Sequence, residues 1–261
     1  MKNIALIFAG GVGSRMHGDV PKQFLEVSGK PIIILTLELF EQNDNIDEIY
    51  IACVKQYIPQ LEDMIRRFSV TKVRRVFPGG ASGQDSIYKG LKEIQKDHFD
   101  NPVVLIHDGV RPLVNQKTIN NCVRDAHKYG SAITVTPAFE TPLISEDGGG
   151  VVSSMPERSK VYTAQAPQCF RLEDVVRWHE NERNKNEEPY EGIVDSCGLC
   201  FKYGGNPHLT EGNRGNIKVT TMEDYLTLIS NSSAANYEQL FKLQANLRKA
   251  EEKKAKEGKN D

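Results

Sequence analysis

An α/β fold built on a mostly parallel sheet is what this chain predicts, and two observations predict it. Short apolar runs alternate with segments whose apolar residues recur at helical spacing. The alternation is β then α, repeated, as expected of strands joined by crossover helices that cover both faces of a sheet. The strand candidates are Ile4–Phe8, Ile49–Val54, Val73–Phe77, Val103–Ile106 and Ala132–Thr136. Between them, 32–40, 58–68, 86–95 and 118–129 read as helices; Ile58, Leu61, Ile65 and Phe68, for example, fall on one helical face. Ligands of such sheets bind beyond the carboxyl ends of the strands, so the polar loops that follow each strand are the places to search.

Residues 138–163 break the rhythm. Glu146-Asp147-Gly148-Gly149-Gly150 is a hairpin-type turn between Thr141-Pro142-Leu143-Ile144 and Val151-Val152-Ser153, which reads as a protruding β-arm. The competing reading is a mobile surface loop. The chain from 236 to 261 is a Lys/Glu-rich helix fading into a polar end, a solvated tail behind a domain spanning 1–235.

Composition excludes several classes. At 261 residues, 39% hydrophobic and 26% charged, the chain suits a globular protein with an adequate core. A net charge of −2 gives no general attraction to nucleic acid or to an anionic membrane. No apolar run reaches the length of a membrane span, and the N-terminus lacks a signal-peptide layout. The five cysteines are scattered, which fits a reduced cytoplasmic setting. Cys197-Gly198-Leu199-Cys200 has no second pair or histidine cluster to complete a zinc site, and it reads as helix packing.

The first post-strand loop is the most telling. Ala9-Gly10-Gly11-Val12-Gly13-Ser14-Arg15-Met16 is followed by Pro21-Lys22-Gln23-Phe24. Glycines let backbone N–H groups crowd around phosphate oxygens. Arg15 and Lys22 can neutralise charge on a phosphorus under attack. A P-loop would need Lys-Ser or Lys-Thr after the glycines, and a dinucleotide fingerprint would need a third glycine where Met16 stands.

The second loop, Gly79-Gly80-Ala81-Ser82-Gly83-Gln84-Asp85-Ser86, also permits close backbone approach. Ser86 either bonds a base edge or caps the following helix. The third, His107-Asp108-Gly109-Val110-Arg111-Pro112, delivers Asp108 to the same rim. Asp108 is either a Mg²⁺ ligand, one carboxylate sufficing when phosphates supply the rest, or a partner that braces Arg111. Lys218, read here as part of a short strand over 217–219, either faces solvent or meets a substrate phosphate. Thr220 or Thr221 would cap the next helix, with Glu223 and Asp224 matching its dipole.

Taken together, these blocks resemble the cytidylyltransferases that act on 2-C-methyl-D-erythritol 4-phosphate and on ribitol 5-phosphate. The blocks are Ala9–Met16, Pro21–Phe24, His107–Pro112, Ala164-Gln165-Ala166-Pro167-Gln168-Cys169-Phe170 and Asn216–Thr220, in that order. The resemblance implies a single Rossmann-like nucleotidyltransferase domain, a homodimer formed through the β-arm, and the joining of CTP to an alditol phosphate with Mg²⁺ and release of pyrophosphate. It implies catalytic roles for Arg15, Lys22 and Lys218, and nucleotide binding by Ala9, Gly10, Gly11, Gly13, Gly80, Ala81 and Ser86. It also implies metal association at Asp108, and alditol-phosphate binding by Asp108, Arg111, Thr141, Arg158 and Lys218, with Thr141 and Arg158 reaching into a partner's site.

This sequence departs from the family pattern at Gly83, where an Arg is usual. Ala9-Gly10-Gly11 and Phe139-Glu140-Thr141 depart from the methylerythritol branch, and Ala9-Gly10-Gly11 with Gly13-Ser14-Arg15-Met16 looks more like the ribitol 5-phosphate branch. Its product would feed a cell-wall or capsule polymer; the methylerythritol alternative would feed isoprenoid synthesis. Other alditol phosphates fit the same frame, and a sugar 1-phosphate nucleotidyltransferase or a non-catalytic nucleotide-binding module are the rival classes.

Overall fold

A computed structural model describes residues 1–10 and 20–232. The elements in order are β1 (Asn3–Ala9), β2 (Glu26–Val27), β3 (Lys30–Pro31), α1 (Ile32–Glu41), β4 (Glu48–Cys53), α2 (Ile58–Arg67), β5 (Val73–Pro78), α3 (Gly83–Asp97), β6 (Val103–Asp108), α4 (Gln116–Tyr129), β7 (Ser131–Pro137), β8 (Tyr162–Arg171), α5 (Leu172–Lys185), α6 (Ser196–Lys202) and β9 (Leu209–Glu211). Helix also covers 222–232. Every strand and helix expected between 4 and 136 is present, within three residues of its expected bounds.

The seven-stranded sheet has the order β5-β4-β1-β6-β8-β7-β9, and β8 alone runs antiparallel to its neighbours. β1 lies inside the sheet, between β4 and β6, because it can be buried on both faces. Ala5, Ile7 and Ala9 face a core shared with α1, α2 and α4. Ile4 and Leu6 face a second core shared with α3, α5 and α6. Ile4, Leu6 and Ile7 have no exposed surface, and each contributes about 1.5–3 kcal/mol of burial. α3 approaches β1 closely at Gly90, where an added Cβ would lie 2.4 Å from Leu6 Cδ1.

Local signals end the helices where the sheet needs them to end. Ser82 accepts from Asp85 N at the start of α3, Asn115 from Thr118 N at α4, and Asp195 from Gly198 N at α6. Gly130, at φ +82°, closes α4 and returns the chain into β7. Thr221 caps the last helix, accepting from Asp224 N, while Asp224 Oδ2 accepts from the N–H groups of Thr220 and Thr221.

The 138–163 segment continues the β7–β8 pair outward: Ala138 N donates to Val161 O, and an antiparallel bridge joins Ile144 to Ser154. The turn is held by Asp147 Oδ1, which accepts from Gly149, Gly150 and Val151 N. It is a sparsely paired arm, and Leu143, Val151 and Met155 on it are more than half exposed.

Lys218 corrects an expectation. No strand forms over 217–219; the segment is extended and is held by single bonds, including Val219 N to Val110 O at 2.9 Å. The strand that does form nearby is β9, beside β7. The tail at 236–261 lies outside the described residues.

Candidate active site

Register brings the loops to one rim. Phe8 pairs with Asp108, Ala9 with Cys53, and Cys53 with Pro78, so the parallel strands β6, β1, β4 and β5 end level. Ala9 and Gly10, Gly79 and Gly80, and Asp108 therefore share the carboxyl edge of the sheet.

Gly10, Gly79 and Gly80 meet at Ser86. Its Oγ accepts from Gly80 N at 2.9 Å and donates to Ser82 O at 2.9 Å. An added Cβ on Gly10 would lie 3.1 Å from this oxygen, and one on Gly79 2.9 Å. Ser82, not Ser86, caps α3, so the capping alternative for Ser86 is set aside. The hydroxyl braces the loop and keeps one lone pair. Ala81 is exposed beside it. Gly83 opens α3 with nothing within 4 Å of an added Cβ, so the usual Arg would find room there.

Lys22 opens a 3-10 helix, Lys22–Phe24, pinned to the end of β1 by Gln23 Nε2 donating to Ala9 O at 3.1 Å. Phe24 anchors it in the core and packs on Tyr57. Arg15, Gly11 and Gly13 lie outside the described residues.

Asp108 stands between two cations. Arg111 Nε lies 3.1 Å from Oδ2, and Lys218 Nζ lies 2.6 Å from Oδ1. The Asp108 side chain is 7% exposed, Arg111 11% and Lys218 41%. Burial pushes the Asp108 carboxyl up, but Lys218 and Arg111 outweigh it and hold the group below the usual carboxylate range. Arg111 Nη1 also donates to Asn216 O at 2.7 Å, and Asn216 Nδ2 to Ala166 O at 2.7 Å. These bonds tie the 213–219 segment to β8 and to the loop after β6, and Lys218 meets Asp108. Behind them His107 is fully buried, and burial lowers its pKa to about 4. Its contact with Arg111 O at 3.0 Å places the proton on Nε2.

The bracing alternative for Asp108 is thus met. The Arg111 pair is real, and Lys218 joins it. The described residues hold no group of three or more His, Cys, Asp or Glu placed for a metal ion. What they offer Mg²⁺ is one carboxylate, and its Oδ1 is shared with a half-exposed lysine that can move away. That fits an ion whose other ligands are phosphates and water.

A cleft of about 270 Å³ opens beside this cluster. Asp108, Arg111 and Lys218 line one part, and Gln84, Gln165, Gln168, Asp195 and Ser196 line more of it. Sequence reasoning missed Gln84, Asp195 and Ser196 as site residues. Asp195 and Ser196 adjoin the C-x-x-C segment, whose apolar character drew the reading toward packing. That reading stands for the cysteines: all five are unpaired thiols, and Cys200 is buried in the α5–α6 core. Thr141 and Arg158 are exposed on the arm and do not line the cleft; Arg158 Nη1 donates to Phe139 O at 3.0 Å.

Comparison with known proteins gives the chain a family. Residues 3–229 match the family model described as IspD, 2-C-methyl-D-erythritol 4-phosphate cytidylyltransferase. The chain is 46% identical over 224 residues to a ribitol-5-phosphate cytidylyltransferase of Vibrio parahaemolyticus, covering 85% of this chain and 92% of the relative. It is 36% identical to a 2-C-methyl-D-erythritol 4-phosphate cytidylyltransferase of Clostridium botulinum, covering 86% and 95%. Among solved structures, 4-diphosphocytidyl-2C-methyl-D-erythritol synthase of Anaerococcus prevotii superposes with a TM-score of 0.76 at 25% identity, covering 89% and 96%.

Proposed function

Because this chain belongs to the IspD family of cytidylyltransferases, we propose that it transfers CMP from CTP to D-ribitol 5-phosphate, giving CDP-ribitol and pyrophosphate. The observation that carries the choice of alditol is the closer kinship, 46% and 39% identity, with relatives named for ribitol 5-phosphate than with the 36% relative named for methylerythritol phosphate.

The reaction needs orientation and charge neutralisation more than acid–base chemistry. A phosphate oxygen of the alditol phosphate attacks the α-phosphorus in line. A P–O bond forms there, and the bond from the α-phosphorus to the bridging oxygen breaks, its electrons leaving with pyrophosphate. The nucleophile arrives ionised, so no side chain need take a proton. The glycine turns after β1 and β5 receive the nucleotide, and Ser86 offers its spare lone pair to the amino group of cytosine. Arg15 and Lys22 meet the charge growing on the α-phosphate and leaving group. Lys218 turns from Asp108 to the alditol phosphate, while Arg111 stays to hold Asp108 in place. Mg²⁺, when bound, would be held by Asp108 with triphosphate oxygens and would lower the negative charge of the phosphates.

The exposed apolar arm is assigned to a homodimer, in which Thr141 and Arg158 of one protomer complete the alditol-phosphate site of its partner. Use of CTP supports a cytoplasmic setting. No helix among the described residues is long and apolar enough to cross a membrane.

The test offers CTP, Mg²⁺ and a panel of phosphates: ribitol 5-phosphate, methylerythritol 4-phosphate, glycerol, glucitol and mannitol phosphates, and a sugar 1-phosphate. Products are weighed by mass and pyrophosphate is counted. CDP-ribitol formed at the highest kcat/KM supports the reading. A different preferred acceptor, or CTP binding without pyrophosphate release, overturns it.

A further inference from the structure

Two residues that line the cleft each carry a buried polar atom with no partner among the described residues. Gln84 is 7% exposed and Ser196 2%, yet Gln84 Oε1 and Ser196 Oγ make no hydrogen bond to any described residue. Both residues line the cleft that also contains Asp108 and Lys218. A buried polar atom left unpaired costs about 1–3 kcal/mol, so a fold keeps such atoms only with a reason. Their neighbours bond to one another. Gln168 Nε2 donates to Asp195 Oδ2 at 2.8 Å, Gln168 Oε1 accepts from Cys197 N at 2.9 Å, and Asp195 Oδ1 accepts from Gly198 N at 2.9 Å. This closed network fixes the start of α6, and with it the position of Ser196, without using the Ser196 hydroxyl.

The unpaired pair is one carbonyl acceptor and one hydroxyl that both donates and accepts. Such a pair matches a chain of hydroxyl groups. Vicinal hydroxyls reach this protein from two sources, the alditol and the ribose of CTP. The rest of the cleft favours the alditol, because its charged part is the Asp108, Arg111 and Lys218 cluster assigned to the alditol phosphate. The nucleotide base, by contrast, has its own braced turn at Gly80 and Ser86. We propose that Gln84 and Ser196 bind the hydroxyl chain of the alditol phosphate and set which alditol the enzyme accepts. This rests on the reading of the chain as an alditol-phosphate cytidylyltransferase, not on ribitol being the alditol.

The test uses the full-length enzyme and two variants, Ser196→Ala and Gln84→Met, both close in volume to the parent residue. Thermal melting and circular dichroism first confirm folding. Each variant is expected to lose about tenfold in kcat/KM for the preferred alditol phosphate, as loss of one hydrogen bond worth about 1.4 kcal/mol predicts. The KM for CTP should stay within twofold. The decisive measurement pairs each variant with alditol phosphates lacking one hydroxyl. Against the analogue that lacks the contacted hydroxyl, variant and parent should perform alike, since the bond is already gone. Losses that add for every analogue, or a change confined to the KM for CTP, overturn the proposal. So does unchanged kcat/KM in both folded variants. Which alditol the parent enzyme prefers is read separately from the panel, so an error in naming ribitol and an error in assigning these two residues give different results.

Discussion

Replace Asp108 by asparagine and the two cations that share it respond differently. Arg111 is 11% exposed and loses the charge that compensates it in a dry setting. Removing one member of a buried ion pair costs about 3–5 kcal/mol. Arg111 keeps its bond to Asn216 O at 2.7 Å, so the lower end, about 3 kcal/mol, is expected. For a domain of this size that is a fall in Tm of about 6–12 °C. Lys218, 41% exposed, turns to water instead. Lys218→Met should therefore cost no more than about 1 kcal/mol of stability. The same substitution removes a cation from the proposed phosphate site, and turnover should fall on the order of 10²–10³. Thermal melts and pyrophosphate release, measured on both variants, separate the two effects. If Asp108→Asn melts within about 2 °C of the parent, or Lys218→Met loses as much stability as it does, the assignment of bracing to Arg111 and substrate contact to Lys218 is wrong.

Lys22→Ala should fold normally and turn over on the order of 10²–10³ more slowly; parental turnover would remove it from the catalytic set. Gly90→Ala puts a Cβ 2.4 Å from Leu6 Cδ1 and should destabilise by about 1–3 kcal/mol. Gly83→Ala meets nothing within 4 Å and should be neutral or stabilising by up to about 1 kcal/mol in urea unfolding, so equal losses at the two glycines would contradict the packing described. Burial lowers the pKa of His179 to about 3, below an unfolded value near 6.5. The unfolded chain therefore takes up a proton that the fold refuses. Stability from this group is full above about pH 6.5 and is lost toward pH 3 at about 1.4 kcal/mol per pH unit. His179→Phe should flatten the acid limb of urea unfolding by that slope; parallel limbs in parent and variant would refute it.

The part of the fold that could be read from sequence is the part specified locally. β1, β4, β6 and their helices carry dense apolar patterns with nearby caps, and their level ends follow from parallel pairing. β8 (Tyr162–Arg171) escaped because Pro167 and two glutamines interrupt any apolar run. β9 is three residues long and exists only through its pairing with β7. The charged end of the site was legible because a carboxylate at a strand end and a lysine in an apolar stretch are both out of place without a purpose. The setting of Lys218 was not, since it depends on Asn216, a bond partner of residues 166 and 111. Gln84 and Ser196 were invisible for a related reason: a polar residue early in a helix looks like any other until its atoms are found buried and unpaired.

Ser86 has one more implication. Gly10 and the Gly79-Gly80 turn both rest against a single oxygen contributed by α3, so the gap between them belongs to neither alone. Grafting one turn from a relative that prefers another nucleotide would leave its opposite number mis-spaced. Exchange of base preference between such enzymes would require both turns and the first coil of α3 to be transplanted as a set, and chimaeras drawn along those three segments should outperform any single-loop swap.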